Sequence, residues 1–522
     1  MNIGMLATQA AEHYPERTAF LWGDEVIEYG EFGGRVAALA AAFRSMGIRE
    51  GDRIALYTDN CPQLLECYFA AWQAGACVVP LNARFVPDEV VYHVENPRAR
   101  ALVFAEAYKD TVKDMSGLLR PVEHYICFGD PAQGQLAYEE LVAQNLGAPP
   151  NPANVADADP AWLFYTSGTT GRPKGAILTH GNLSFVTVGW CADLMCIEPE
   201  DVGLHAAPLS HGAGFHALAL TAKCAAQVIA ESPRFDPQDF CALVERHRVT
   251  NSALVPTQVK RLISFEGLND YDLSTLRYLA YYGSPMYVED LKDALEKMGR
   301  IFVQLYGQGE TPMTATYLRR EEHVAEGPKE HTEKLASCGR ARTCVDVAIL
   351  DEENREVQRG QMGEICVRGP SVFAGYWEKP EETDQTLRNG WLHTGDLGRM
   401  DERGYVYVMD RTKDMIISGG SNVYPREVEE VLLEHPDVSE AAVIGVPDPE
   451  WGESVKAVLV LAPDSEVSAE EIIAYCRERM AAYKLPKSVS FVNELPKSAI
   501  DKVLKRKLRE MFVRQFGADA ND

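Results

Sequence analysis

Between residues 33 and 105, short β-branched runs alternate with longer stretches of helical spacing, and this alternation limits the fold more than any other feature of the chain. Val36, Leu39, Ala40 and Phe43 recur at helical intervals from Gly33 to Gly47, where the glycine fits the position just past a helix end. The strand-like run RIALYT (53–58) follows directly, then the helical ECYFAAWQAGA (66–76), CVVPL (77–81) and ARALVFA (99–105). Helices of ten or more residues between buried strands predict an α/β fold with a parallel sheet. The Pro-, Ala- and Asp-rich passage GAPPNPANVADADP (147–160) has no periodicity and precedes a fresh strand, AWLFYT (161–166), so it reads as a subdomain boundary.

Further along, short strand-like segments from Asp346 to Arg368 and from Tyr405 to Met409 predict a small β-rich subdomain. After Asp410 the pattern changes to a helix at Pro425–Leu433, the strands AAVIGV (441–446) and VKAVLVL (455–461), and a helix opened by the capping box Ser468-Ala-Glu-Glu471. The expected architecture is a large N-terminal domain of stacked α/β sheets with a β-rich subdomain (1–410), followed by a small α+β domain (411–522).

With 522 residues, at roughly 100–200 per domain, the chain can bury three or four cores. No stretch approaches the roughly 18 unbroken apolar residues of a membrane span. A formal charge of −26 repels nucleic acid and anionic membrane over most of the surface, so a polyanionic ligand needs a local basic site. One basic tract exists: eleven Lys/Arg stand against four acidic residues between Arg477 and Arg514, although Leu504, Leu508 and Phe512 also mark it as an amphipathic helix. Twelve cysteines without C-x-x-C spacing, and an N-terminus without a basic and apolar leader, predict a reduced, cytoplasmic protein. A homodimer is the default expectation, though no segment argues for one.

The segment from Tyr165 to Gly175, YTSGTTGRPKG, is built to hold phosphate. Gly168, Gly171 and Gly175 let backbone N–H groups close on an anion, while Ser167, Thr169, Thr170 and Lys174 supply hydroxyl donors and a cation. The Walker A pattern cannot be laid on it, because Lys174 follows Pro173 and precedes Gly175.

This loop resembles the signature of the acyl-adenylate-forming superfamily, which holds acyl-CoA synthetases, nonribosomal peptide synthetase adenylation domains and luciferases. Four further blocks resemble that family in the same order: YGQGE (306–310), GWLHTGD (390–396), DRTKD (410–414) with SGGSNVYP (418–425), and LPKSAIDK (495–502). GDRIAL (51–56) and AGACVVPLN (74–82) extend the similarity toward the N-terminus.

The resemblance implies an ATP-dependent carboxylic acid:CoA ligase. A carboxylate attacks the α-phosphorus of ATP, pyrophosphate leaves, and a thiol displaces AMP. Lys502 is implied to bridge the α-phosphate and the attacking carboxylate. Thr166, Ser167, Gly168, Thr169, Thr170, Gly171 and Lys174 would hold the pyrophosphate, and Glu310 would support Mg2+. Asp396 is implied to accept the ribose hydroxyls, Arg411 to add a second ribose and phosphate contact, and Tyr306 to stack on the adenine, with Gly307 and Ser284 also among the nucleotide-binding residues. Lys413 maps to a hinge about which the tail rotates, bringing Gly419 and Gly420 to line a pantetheine tunnel. On this view the basic tract gains a second reading, as a receiver for the phosphates of coenzyme A.

Two positions depart from the family pattern. Gly309 replaces a threonine that contacts the α-phosphate, leaving Gln308 or Thr311 as the nearest substitute donors, and Asp501 replaces the glycine before Lys502. The acyl pocket is expected between residues 186–195, 208–215 and 281–285. His211 serves there as a wall beside the reacting carboxylate rather than a base, since a carboxylate has no proton to remove. Without an evident acidic partner for an α-amino group, a fatty or aryl acid is expected. The alternatives are an adenylating enzyme that loads a carrier protein and a silent nucleotide-binding homologue.

Overall fold

The computed structural model describes residues 1–166, 172–284, 286–411, 414–418, 421–448, 451–463, 465–497 and 503–518. Ser167, Gly168, Thr169, Thr170, Gly171, Lys413, Gly419, Gly420, Asp501 and Lys502 lie outside them, and Arg411 is described by its backbone alone.

The predicted helix–strand alternation builds a seven-stranded sheet. Its order is Leu136–Ala137, His124–Phe128, Ala101–Ala105, Arg53–Tyr57, Cys77–Pro80, Pro160–Thr166 and Lys174–Thr179, parallel except for the last pair. The helix predicted from Gly33 runs Tyr29–Ser45, starting four residues earlier than the spacing predicts, and stops before Gly47 at φ +81°. The passage 147–160 is not a boundary. Residues 147–159 hold no regular structure, yet Trp162 of the strand that follows pairs with Val78, so the chain returns to the sheet it left. A Pro-rich segment records only the lack of a helix or strand, and cannot say which sheet the next strand joins.

A second, nine-stranded sheet runs in the order Arg340–Ala341, Thr311–Leu318, Phe302–Gln308, Tyr278–Tyr281, Asn251–Leu254, Val202–His205, Ala226–Ile229, Thr18–Trp22 and Glu25–Glu28. Helices between the two sheets are mostly apolar and are buried on nearly every face. In Pro62–Gln73 every residue but Gln63 is buried, and in Gly212–Ala222 every residue but Ala222. Trp72 Nε1 donates to Ala161 O (2.7 Å) and Tyr68 Oη to Leu209 O (3.1 Å), fastening the first of these helices beside both sheets.

The predicted β-rich part is a five-stranded sheet of Asp346–Leu350, Met362–Arg368, Leu387–Arg388, Trp391–Met400 and Val406–Arg411. The tail forms a fourth sheet, of Ser421–Val423, Ile416–Ser418, Gly452–Leu461, Val438–Asp448 and Ser488–Phe491. Its helix Pro425–Leu433 falls where predicted, and Ser468 and Glu471 make both bonds of the capping box. Leu508 and Phe512 of the last helix are buried, which bears out the amphipathic reading. Among the described residues no helix is long and apolar enough to cross a membrane.

The basic tract is largely spent on internal pairs. Lys484 meets Glu427, Lys497 meets Glu440, Lys505 meets Glu429 and Asp410, and Arg509 meets Asp414. The tail also touches the larger part of the chain: Tyr287 Oη donates to Glu429 (3.2 Å) and Lys260 Nζ to Ser439 O (2.8 Å).

Candidate active site

Two strand ends open the site. Pro160–Thr166 and Lys174–Thr179 are antiparallel with Thr166 opposite Lys174, so the phosphate-loop sequence lies in the chain between two paired strands, after the carboxyl end of the first. Phe302–Gln308 of the second sheet ends beside it and delivers Glu310, in keeping with ligand sites at the carboxyl ends of strands in α/β sheets.

Glu310 is 7% exposed, and its Oε1 accepts from Tyr376 Oη (2.6 Å) and Thr166 Oγ1 (3.2 Å). The Lys174 ammonium lies 4.8 Å from the centroid of the Tyr376 ring. Burial and the Glu310 carboxylate push the Tyr376 phenol well above its ordinary pKa, so it remains a donor. Tyr376 is held in place because residues 374–377 pair with the strand of Lys174: Ile177 N donates to Gly375 O, Ala374 N to Ile177 O and Trp377 N to Gly175 O. Sequence reasoning missed Tyr376, whose position 66 residues beyond Glu310 carries no local signal.

On the other side, Asp396 is 5% exposed, and its Oδ2 accepts from Tyr306 Oη (2.8 Å) and Gln308 Nε2 (2.7 Å). Burial, then the neighbouring carboxylate, holds Tyr306 protonated. Asp396 stands opposite Arg411 across an antiparallel pair, so the two residues implied to reach the ribose are cross-strand neighbours. Gly307 packs on backbone: a Cβ there would meet Thr311 O at 2.3 Å and Met313 N at 2.7 Å. Ser284 sits in the bend after Tyr278–Tyr281.

Neither proposed substitute for the missing threonine at 309 is free. The Gln308 amide is committed to Asp396 and to Thr394 O (2.8 Å), and the buried Thr311 hydroxyl bonds Thr314 (3.2 Å) and Ser371 (3.0 Å). Gly309 is instead filled from outside: a Cβ there would lie 2.3 Å from Thr166 Cγ2 and 2.8 Å from Phe164 Cδ1.

Phe164 leads toward the predicted acyl pocket, meeting His211 edge-on (5.6 Å) and stacking on Phe215 (5.9 Å). Burial lowers the His211 pKa to about 4, and its Nδ1 lies 3.0 Å from Ser210 Oγ, so a neutral wall is what this histidine can be. Gly212 is required by packing, since a Cβ would meet Met313 Cε at 1.8 Å and Tyr282 Cε2 at 2.4 Å. Of the 186–195 stretch, Val186, Trp190, Leu194 and Met195 turn inward, whereas Val188 is 68% exposed. Asp193 is no partner for a substrate amine: it is buried against Arg342 Nε (3.2 Å) and Thr343 Oγ1 (2.7 Å), while Arg342 Nη1 donates to Met313 O (3.1 Å). Arg342 thus ties two walls of this region together.

Residues 7–377 match the AMP-binding enzyme family and residues 427–502 the AMP-binding enzyme C-terminal domain. Feruloyl-CoA synthase of Amycolatopsis sp is 39% identical over 513 residues, covering 98% of this chain and 99% of that one. Among solved structures, the amide bond synthetase McbA from Marinactinospora thermotolerans superimposes with a TM-score of 0.89 at 30% identity, over 98% of this chain and 100% of that one. ATP-bound MatB from Rhodopseudomonas palustris gives 0.88 at 30% identity, over 98% and 99%. Motifs, site geometry and whole-length similarity agree: the chain belongs to the AMP-binding enzyme family.

Proposed function

We infer that this protein is an ATP-dependent carboxylic acid:CoA ligase that forms an acyl-adenylate and then an acyl-CoA thioester, releasing pyrophosphate and AMP. The observation that carries the reading is the convergence of Lys174, Tyr376, Thr166 and Glu310 at the mouth of the phosphate loop, with Asp396 held by Tyr306 and Gln308 beside it.

The first half-reaction brings a carboxylate toward a polyanion, so rate must come from positioning and charge neutralisation. Lys174 and the loop hydroxyls receive the outgoing pyrophosphate, and Lys502 steadies the α-phosphate and the incoming carboxylate. Asp396 accepts the ribose hydroxyls, with Arg411 beside it. Glu310 suits Mg2+, since one oxygen is fixed by Tyr376 and Thr166 and the other has no bond to a described residue; such an ion, held also by phosphate oxygens, would neutralise phosphate charge. Thr166, whose methyl packs against position 309 and whose hydroxyl bonds Glu310, stands next to the place of the missing threonine. The acid is fatty or aryl, and the relative named feruloyl-CoA synthase supports starting with aryl acids. The chain divides at 410/411, Lys413 serves as the hinge, and Gly419 and Gly420 line the thiol path. With every cysteine in the described fold free, we assign the protein to the cytoplasm.

The test is nucleotide product analysis with ATP, Mg2+ and a panel of aryl and fatty acids, with and without coenzyme A. Acid-dependent AMP and pyrophosphate, with turnover requiring coenzyme A, is the expected result. ADP would sink adenylation, and turnover with an amine or a carrier protein in place of coenzyme A would sink the ligase reading. Lys502→Ala is expected to abolish adenylation and leave ATP binding intact; retained adenylation would refute its role.

A further inference from the structure

The strand carrying Asp396 is irregular at the position where the site needs it. Cys366 pairs with His393 and Glu364 with Leu397, so one residue on the first strand faces three on the second, and the 394–396 segment bulges out of the ladder. Bulges re-aim side chains beside active sites, and this one turns on Gly395 at φ +70°. A bulge loses ladder hydrogen bonds, so something must replace them. Thr394 Oγ1 donates to Ile365 O (2.6 Å) and accepts from Asp396 N (3.1 Å), while Gly395 N donates to Glu364 Oε1 (2.8 Å).

Glu364 is itself held. Its Oε2 lies 2.7 Å from His393 Nδ1 and 3.3 Å from Arg388 Nη2. A carboxylate can only accept, so the Nδ1 that faces it is the donor of this contact, while Nε2 is buried with no partner among the described residues. His393 is 7% exposed and Cys366 is fully buried beside it, with Sγ 3.4 Å from the same nitrogen. Glu364, Cys366 and His393 lie close enough to hold a cation, but the Arg388 guanidinium, 3.0 Å from Nδ1, already supplies the positive charge. Burial raises the Cys366 pKa, which keeps the thiol neutral. The group is built around one task, the fixing of Glu364 against the Gly395 amide.

We propose that Glu364, oriented by His393 and Arg388, is a positioning residue that holds the bulge and aims the Asp396 carboxylate at the ribose, thereby setting the preference of the enzyme for ATP over deoxy-ATP. The inference rests on the reading of Asp396 as the ribose acceptor. Loss of an aligned hydrogen bond to a charged group alters discrimination by about tenfold or more, and only for a nucleotide that has the hydroxyl.

The experiment measures kcat/KM for ATP and for 3′-deoxy-ATP, at saturating acid, in the wild type and in Glu364→Ala, Glu364→Gln, His393→Gln and Asp396→Ala. Glu364→Ala is expected to lower the ATP/3′-deoxy-ATP ratio about tenfold, toward that of Asp396→Ala, while the value for 3′-deoxy-ATP changes little. Glu364→Gln, whose amide oxygen still accepts from Gly395, should recover part of the ratio. An equal fall for both nucleotides, with the ratio unchanged, would make Glu364 merely structural and overturn the proposal. Should Glu364→Ala not fold, the ratio in His393→Gln decides in the same way. If Asp396→Ala itself keeps the wild-type ratio, the ribose reading fails, an outcome distinct from a failure of Glu364 alone.

Discussion

Gly309 provides the sharpest test of how this site is packed. A Cβ added there meets Thr166 Cγ2 at 2.3 Å and Phe164 Cδ1 at 2.8 Å, and neither neighbour is loose. Thr166 donates to Glu310, and Phe164 is stacked on Phe215 and set against His211. Turning Thr166 aside forfeits one hydrogen bond, about 1 kcal/mol, and moving the ring adds an overpacking cost of about 1–2 kcal/mol, so Gly309→Ala should cost about 2–3 kcal/mol. The Thr166→Ser change removes the methyl that is struck and keeps the hydroxyl that bonds Glu310. In that background Gly309→Ala should cost at least about 1 kcal/mol less. The assay is a double-mutant cycle on the first urea transition, repeated on kcat/KM for pyrophosphate release. Additivity within about 0.5 kcal/mol would refute the reasoning, because it would mean that the two residues do not share the space.

Two further outcomes follow from buried charge. His180, His205, His216 and His323 are fully buried, and burial lowers their pKa values to about 4, 4, 3 and 4. Since the folded values lie below the ordinary 6.5, their contribution to stability is complete above pH 6.5 and is lost as pH falls toward 4, at about 1.4 kcal/mol per histidine per pH unit. Urea midpoints taken from pH 7 to 5 should fall steeply, and a flat profile would contradict the assignment. Arg342→Met leaves the Asp193 carboxylate buried without its cation and should cost about 3–5 kcal/mol, with a raised KM for the acid because the Met313 wall is released. A variant as stable as wild type, by urea unfolding, would remove Arg342 from this role.

Local patterns determined much of this protein on their own. Helical spacing at Val36, Leu39, Ala40 and Phe43, the β-branched runs that follow, and the Ser468–Glu471 box all act within a few residues, so the elements they form are legible from the local sequence. The motif blocks likewise singled out Glu310, Lys174, Asp396 and Arg411 as candidates for the chemistry. What the sequence left undecided depends on contacts between residues far apart in the chain. The loop before Pro160 says nothing of the sheet that strand joins, because pairing is a choice among distant edges. Tyr376 reaches Glu310, Glu364 reaches Gly395 and Arg342 reaches Asp193 across separations of 66, 31 and 149 residues. Gly309 reads as a lost donor in one dimension. In three it is the space that Thr166 and Phe164 occupy, and only close packing, which forbids two groups the same volume, makes that visible.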